Sequence, residues 1–98
     1  MIVEIGIITA QEGKGDELEA GLKKAREVIS QAAGYRGSTF QRCIEHPDRC
    51  VIYIQWDSVD AHMKGFREGP LFPQWRSHFG HLMGGAPDVA HYNVFASD

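Results

Sequence analysis

The residues able to do chemistry gather in the second half of the chain. Gly65-Phe66-Arg67-Glu68-Gly69-Pro70-Leu71-Phe72-Pro73-Gln74-Trp75-Arg76 sets two phenylalanines, a tryptophan and two arginines into twelve residues broken by glycine and proline. Aromatic faces beside fixed positive charge suit a flat, partly anionic organic molecule. Upstream, His62 shares a helix face with Val59, Met63 and Phe66, which turns it toward the interior. A histidine there is either a buried ring satisfied by a backbone carbonyl or a proton acceptor kept neutral by its apolar surroundings. Arg76 lies one residue from the aromatic stripe, where it can reach a pocket rim and pair with a phenolate or carboxylate. The plainer alternative is a salt bridge to Glu68 or Asp88. Arg67 is expected in solvent. Trp56, Phe72 and Trp75 read as core residues that can also line a pocket, and Phe79 continues that stripe. His91 and Asn93 share one face of the last strand, in the cleft or at a subunit interface.

Other chemistries find little support. His78 and His81 could offer two imidazoles to a metal, but no carboxylate sits at a familiar spacing and no HExxH occurs. No metal site is expected. No glycine-rich phosphate loop follows a strand, and no serine sits in a nucleophile elbow. An enzyme here would lack the usual cofactor motifs, so no cofactor is expected. Cys43 and Cys50 flank the loop 44–49 and can face each other across a hairpin. In a reducing compartment they read as ordinary thiols.

The 98 residues suit a single domain spanning 1–98, and 43% hydrophobic content fits a globular chain. A net charge of −3 with scattered basic residues argues against nucleic acid or an anionic membrane as partner. No run reaches a membrane span. Met1-Ile2-Val3-Glu4-Ile5 lacks the basic start and apolar core of a signal peptide, which makes the cytoplasm the default location.

The elements that must position these residues follow from periodicity. Ile2–Ala10 is rich in β-branched residues and apolar on both sides, so it reads as a strand covered on both faces. A helix follows, capped by Asp16 with Glu19 as its capping-box partner. Leu18, Leu22, Ala25, Ile29 and Ala32 form its buried stripe, and Gly34 is its stop. Two strands come next, the second being the buried run Cys50–Trp56. Asp57 or Ser58 caps a second helix, with Val59, His62, Met63 and Phe66 on its inner face. Pro70 opens a third, buried through Leu71, Phe72, Trp75, Phe79 and Leu82. Val89–Ala96 is the last strand. This order is the split βαβ pattern of an α+β, ferredoxin-like fold, a four-stranded antiparallel sheet with helices on one face. The other face is also apolar, and a second copy of the chain would cover it.

Three segments together carry a family resemblance: Gln55-Trp56-Asp57-Ser58, then Phe66-Arg67-x-x-Pro70-x-Phe72-x-x-Trp75-Arg76, then Pro87-x-Val89-x-His91-Tyr92. The chain resembles the antibiotic biosynthesis monooxygenase (ABM) domain along almost its whole length. The resemblance implies a dimeric α+β barrel. Some members oxygenate anthrones or quinols with O2 and without metal, flavin or haem, in a pocket whose polar residues include a tryptophan, an arginine, a tyrosine and an asparagine. The tryptophan falls on Trp56 and the arginine on Arg76. The tyrosine position holds His62 and the asparagine position Ile52. The implied function is a cofactor-independent monooxygenase or quinol oxidase. Its hydroxy-aromatic substrate would stack among Trp56, Phe66, Phe72, Trp75 and Phe79, with His62 as base, Arg76 stabilising the anion and His91 nearby. The alternatives are a non-catalytic dimeric module binding a planar aromatic metabolite, and a haem-binding relative. In the haem-degrading branch the axial histidine position falls near Trp75 or Arg76, with His78 close by, and the first-strand asparagine near Gly6.

Overall fold

A computed structural model describes residues 1–98. Strands β1 (Ile2–Thr9), β2 (Tyr35–Arg42), β3 (Arg49–Trp56) and β4 (Asp88–Tyr92) form one sheet in the order β2-β3-β1-β4. All three pairings are antiparallel. The sheet carries α1 (Gly15–Ile29), a π-helical segment (Ala61–Phe66) and α2 (Leu71–Ser77), as the ferredoxin-like reading requires.

Strand alternation sorts residues between the faces. Glu4, Gly6 and Ile8 of β1, with Cys50, Ile52, Ile54 and Trp56 of β3, point to the helices and are buried. Leu18, Leu22, Ala25 and Ile29 of α1 pack onto them in the same core cluster as Phe66, Trp75 and Phe79. A Cβ on Gly6 would stand 2.9 Å from Ile52 Cγ1, so glycine lets the β3 side chains lie against β1. Gly21 does the same between α1 and α2, where a Cβ would collide with the His78 carbonyl oxygen.

Several local expectations are corrected. Asp16 does not cap α1. The carboxylate of Asp48, from the β2–β3 loop, accepts hydrogen bonds from the Gly13 and Gly15 amides at 3.1 Å, while Asp16 pairs with Arg42. A distant loop therefore supplies the anion that the helix N-terminus attracts. α1 stops at Ile29, and Gly34 instead makes the positive-φ turn into β2. Ser58 does cap the next segment, its Oγ accepting from the Ala61 amide at 3.1 Å. Val59 is not on its inner face but 42% exposed. The third helix ends at Ser77, and a 3-10 turn, Gly80–Leu82, brings Leu82 into the core. β4 ends at Tyr92 rather than Ala96, leaving Asn93 exposed beyond it. Cys50 lies opposite Arg42, and both cysteines are free. No helix is long and apolar enough to cross a membrane.

The opposite sheet face presents Val3, Ile5 and Ile7 of β1, Val51 and Tyr53 of β3, and Ala90 and Tyr92 of β4. No segment of this chain covers it, and Ile7, Tyr53 and Tyr92 are 38%, 36% and 51% exposed.

Candidate functional site

The site grows from one departure from regular helix. Over Ala61–Phe66 the backbone winds as a π-helix, with the Arg67 amide donating to the His62 carbonyl at 2.8 Å. Both His62 and Phe66 of this segment are buried, and π-turns of this kind recur at functional positions. His62 lands over the end of β3, its imidazole stacked on the Trp56 indole.

Beneath it is a carboxylate that the sequence reading passed over. Glu4 is only 4% exposed. Its Oε1 accepts the Trp56 Nε1–H at 2.9 Å and lies 3.3 Å from His62 Nε2. The other imidazole nitrogen, Nδ1, is 2.8 Å from Nε2 of His91, reaching in from β4. Thus both ring nitrogens of His62 meet side chains rather than a backbone carbonyl. The only warning in the sequence was an acid in the inward row Glu4-x-Gly6-x-Ile8, which is otherwise small or apolar.

Burial shifts this pair in opposite directions. It pushes the Glu4 carboxyl up to about 7, against the pull of the Trp56 hydrogen bond and the Arg67 charge. It pulls the His62 imidazole down to about 4, helped by His91 and Arg67. Both effects disfavour the charged form, so near neutral pH His62 is a neutral ring and Glu4 stands between acid and carboxylate.

Glu4 and His62 open into a cavity of about 60 Å³. Ile8, Ile29, Ile52, Phe66, Phe72, Trp75, Phe79, Pro87 and Val89 form its apolar wall. Arg67 and Arg76 supply the positive rim; Arg67 is exposed, as the sequence suggested, and stands at the cavity mouth. The Arg76 guanidinium sits 5.8 Å from the Phe72 ring centre. It makes no salt bridge to Glu68 or Asp88, which leaves its charge free for a ligand.

The sequence-derived candidates divide clearly. His62, Arg76, Phe66, Phe72, Trp75 and Phe79 line the cavity. Trp56 does not: it is fully buried and donates its indole N–H to Glu4. His91 does not line it either, but stands behind His62. A bulky indole at the very end of β3 is spent on packing and on one hydrogen bond, and the register sets His91 opposite Glu4. His78 and His81 lie away from the cavity, and no group of three His, Cys, Asp or Glu is arranged to hold a metal. The cavity does not offer haem an axial ligand: its one histidine, His62, has both ring nitrogens against side chains, Nε2 beside Glu4 and Nδ1 on His91. A larger groove of about 260 Å³ between α1 and β2 contains Cys50 and Arg42, but burial raises the Cys50 thiol and Arg42 is tied to Asp16 and Glu19.

The family model described as antibiotic biosynthesis monooxygenase matches residues 1–77. The chain belongs to this family. A Bordetella bronchiseptica structure carrying the same family name is 35% identical, covers 97% of each chain and superposes with a TM-score of 0.92. SnoaB of Streptomyces nogalater, a cofactor-independent oxygenase, is 14% identical with a TM-score of 0.82, covering 98% of this ABM chain and 94% of its own. At that identity the likeness is one of fold. The uncharacterized protein YczJ of Bacillus subtilis is 24% identical over 92 residues, 94% of this chain and 97% of YczJ.

Proposed function

We propose that this ABM protein is a cofactor-independent oxygenase of a small hydroxy-aromatic, a quinol or an anthrone, with O2 as oxidant. The observation that carries the reading is the Glu4–His62 couple at the base of an aromatic cavity rimmed by Arg67 and Arg76. The fold shared with SnoaB adds weight, since that protein is itself a cofactor-independent oxygenase.

Such a substrate must first lose a phenolic or enolic proton, because the anion gives up an electron to O2 far more readily than the neutral form. Glu4 Oε1 is already engaged by Trp56 and His62, which leaves Oε2 to take that proton. His62 positions the acceptor through Nε2. Arg76, with Arg67 beside it, stabilises the developing phenolate at the rim. The apolar wall limits water around the anion and its oxygenated successor. The substrate supplies all the electrons: an anthrone CH2 and O2 become C=O and H2O, and a quinol and O2 become the quinone and H2O2.

A cavity of about 60 Å³ holds roughly two waters. An aromatic ring enters only when the rim yields. The half-buried Phe72 and Arg76 side chains, paired by their cation–π contact, are the pieces able to swing outward.

The molecule works as a dimer in this proposal. The apolar row of Val3, Ile5, Ile7, Val51 and Tyr53 would pack against its copy, sheet face to sheet face. The test of function is oxygen uptake by metal-free, haem-free protein given quinols and anthrones. Uptake above buffer autoxidation, abolished in Glu4→Gln, supports the reading. Saturable binding of the same compounds without oxygen uptake supports a binding module instead.

A further inference from the structure

We propose that Arg67 reads a carboxylate on the substrate, so that the compound this cavity takes is a hydroxy-aromatic acid rather than a neutral quinol or anthrone. This deepens the oxygenase reading and rests on it for the ionising hydroxyl. Removing one phenolic proton creates one negative charge, yet two guanidinium groups stand at the mouth of one small cavity. Arg76 is half-buried and lies over the Phe72 ring, which suits it to the phenolate oxygen. Arg67 is then a second cation with no charge of the reaction to meet.

The chain has six arginines. Arg26 bonds Ser38, Arg36 pairs with Asp57, and Arg42 pairs with Asp16 and Glu19. The other three make no side-chain hydrogen bond or ion pair, and two of those three meet at this cavity. Glu68 follows Arg67 in sequence and Asp88 lies between the cavity residues Pro87 and Val89, but neither pairs with either guanidinium. Both cations at the mouth are therefore open to an incoming anion.

The charge of Arg67 is felt inside the cavity, where it favours the Glu4 carboxylate and opposes protonation of His62. Near pH 6 the interior sets no anion against a carboxylate. Glu4, pushed up to about 7 by burial, is mostly protonated there, and His62, pulled down to about 4, is neutral. Two positive charges then dominate the site on a chain whose net charge is −3. An ordinary carboxylic acid ionises near about 4 and is an anion at this pH. A guanidinium meets its two oxygens with two parallel N–H donors. An anion held at the mouth also fixes which end of the ring enters. Because Arg67 is exposed, the pairing is screened by water and salt, so its effect is severalfold rather than many powers of ten.

The test compares gentisate, a quinol with one ring carboxylate, with methyl gentisate, which keeps the ring and loses the charge. Calorimetry without oxygen, at pH 6 and low salt, reads binding apart from turnover. The wild-type protein should bind the acid roughly threefold or more tightly than the ester. Half-molar salt should erase that preference, and Arg67→Gln should bring the ratio to about one at low salt. An ester that binds the wild-type protein as tightly as the acid overturns the subsite. So does a preference that survives in Arg67→Gln, or an acid that fails to bind at millimolar concentration. Admitting air then separates the subsite from the oxygenase reading. Acid-selective binding without oxygen uptake leaves the subsite standing and removes the oxygenase. Oxygen uptake from both compounds with no preference in binding keeps the oxygenase and removes the subsite.

Discussion

The imidazole of His62 lies almost flat on the indole of Trp56, with ring centroids 5.3 Å apart and planes 21° apart. Both rings turn a nitrogen to the same atom, Glu4 Oε1. The stack therefore brings two ring nitrogens to one oxygen, and Trp56 reaches Glu4 without touching the cavity. Trp56→Phe keeps an aromatic surface under His62 and removes the indole N–H. That bond favours the carboxylate, so its loss should raise the Glu4 pKa above its present value of about 7. The carboxyl infrared band gives the shift directly. Stability should fall by about 1–3 kcal/mol, the usual effect of removing one partner of a buried hydrogen bond. An unmoved titration would show that the indole hydrogen bond does not help set the Glu4 value.

Glu4→Gln should change how stability depends on pH. Glu4 holds its proton more tightly in the folded state, so its contribution is favourable below about 4.5 and is lost as the pH climbs through about 7. His62 behaves oppositely: its neutral form favours the fold above about 6.5, and that contribution is lost as the pH falls through about 4. Across the shared interval the two slopes nearly cancel in the wild-type protein. The glutamine variant keeps only the histidine slope, while its amide still satisfies Trp56 and His62. Relative to wild type it should be more stable at pH 8 than at pH 5 by roughly 2–3 kcal/mol, measured by urea unfolding. The same difference at both pH values would mean that Glu4 titrates as an ordinary carboxylate.

The fold was legible because its signals are periodic. Apolar, β-branched runs marked β1 and β3, the Leu18–Ala25 stripe marked α1, and the element order implied the ferredoxin-like pattern. The aromatic wall was legible too, because Phe66, Phe72, Trp75 and Phe79 crowd into one short segment. What failed were features set by distant register. Glu4 looks like a routine acid in an apolar strand until β3 brings Trp56, and the π-segment brings His62, onto the same oxygen. Asp16 looks like a helix cap until the β2–β3 loop delivers Asp48. His91 could be placed on a face but not paired, because its partner lies on another element 29 positions away. The π-turn leaves no simple mark in the sequence, and Val59, placed on the inner face with His62, lies exposed ahead of it.

Arg67 is the residue whose removal should move both members of the couple in one direction. Its charge favours ionised Glu4 and opposes protonated His62. In Arg67→Gln, Glu4 should therefore titrate at a higher pH and His62 should also accept its proton at a higher pH. Combined carboxyl infrared and nitrogen-15 titrations read the two separately. Arg67 is exposed, so overall stability should change little, and the effect should shrink as salt rises. Opposite movement of the two groups would indicate rearranged hydrogen bonds rather than a lost field.

The uncovered sheet face makes a separate prediction about assembly. Strands spaced about 4.8 Å apart and rising about 3.3 Å per residue give a four-stranded face of roughly 19 by 26 Å. With side-chain relief, that comes close to the about 800 Å² per partner of an ordinary stable interface. Tyr53 lies directly opposite Ile5 and one pair along from Ile7, at the centre of the apolar row. The combined substitution Ile7→Lys and Tyr53→Lys would place two charges there, facing the same two on a second copy. Neither side chain packs into the helix-side core, so circular dichroism should be unchanged. Sedimentation should give twice the 10.9 kDa chain mass for the native protein and the single-chain mass for the variant. A native protein that sediments as one chain at high concentration would remove the dimer from the proposed function, and one that stays dimeric in the variant would place the interface elsewhere.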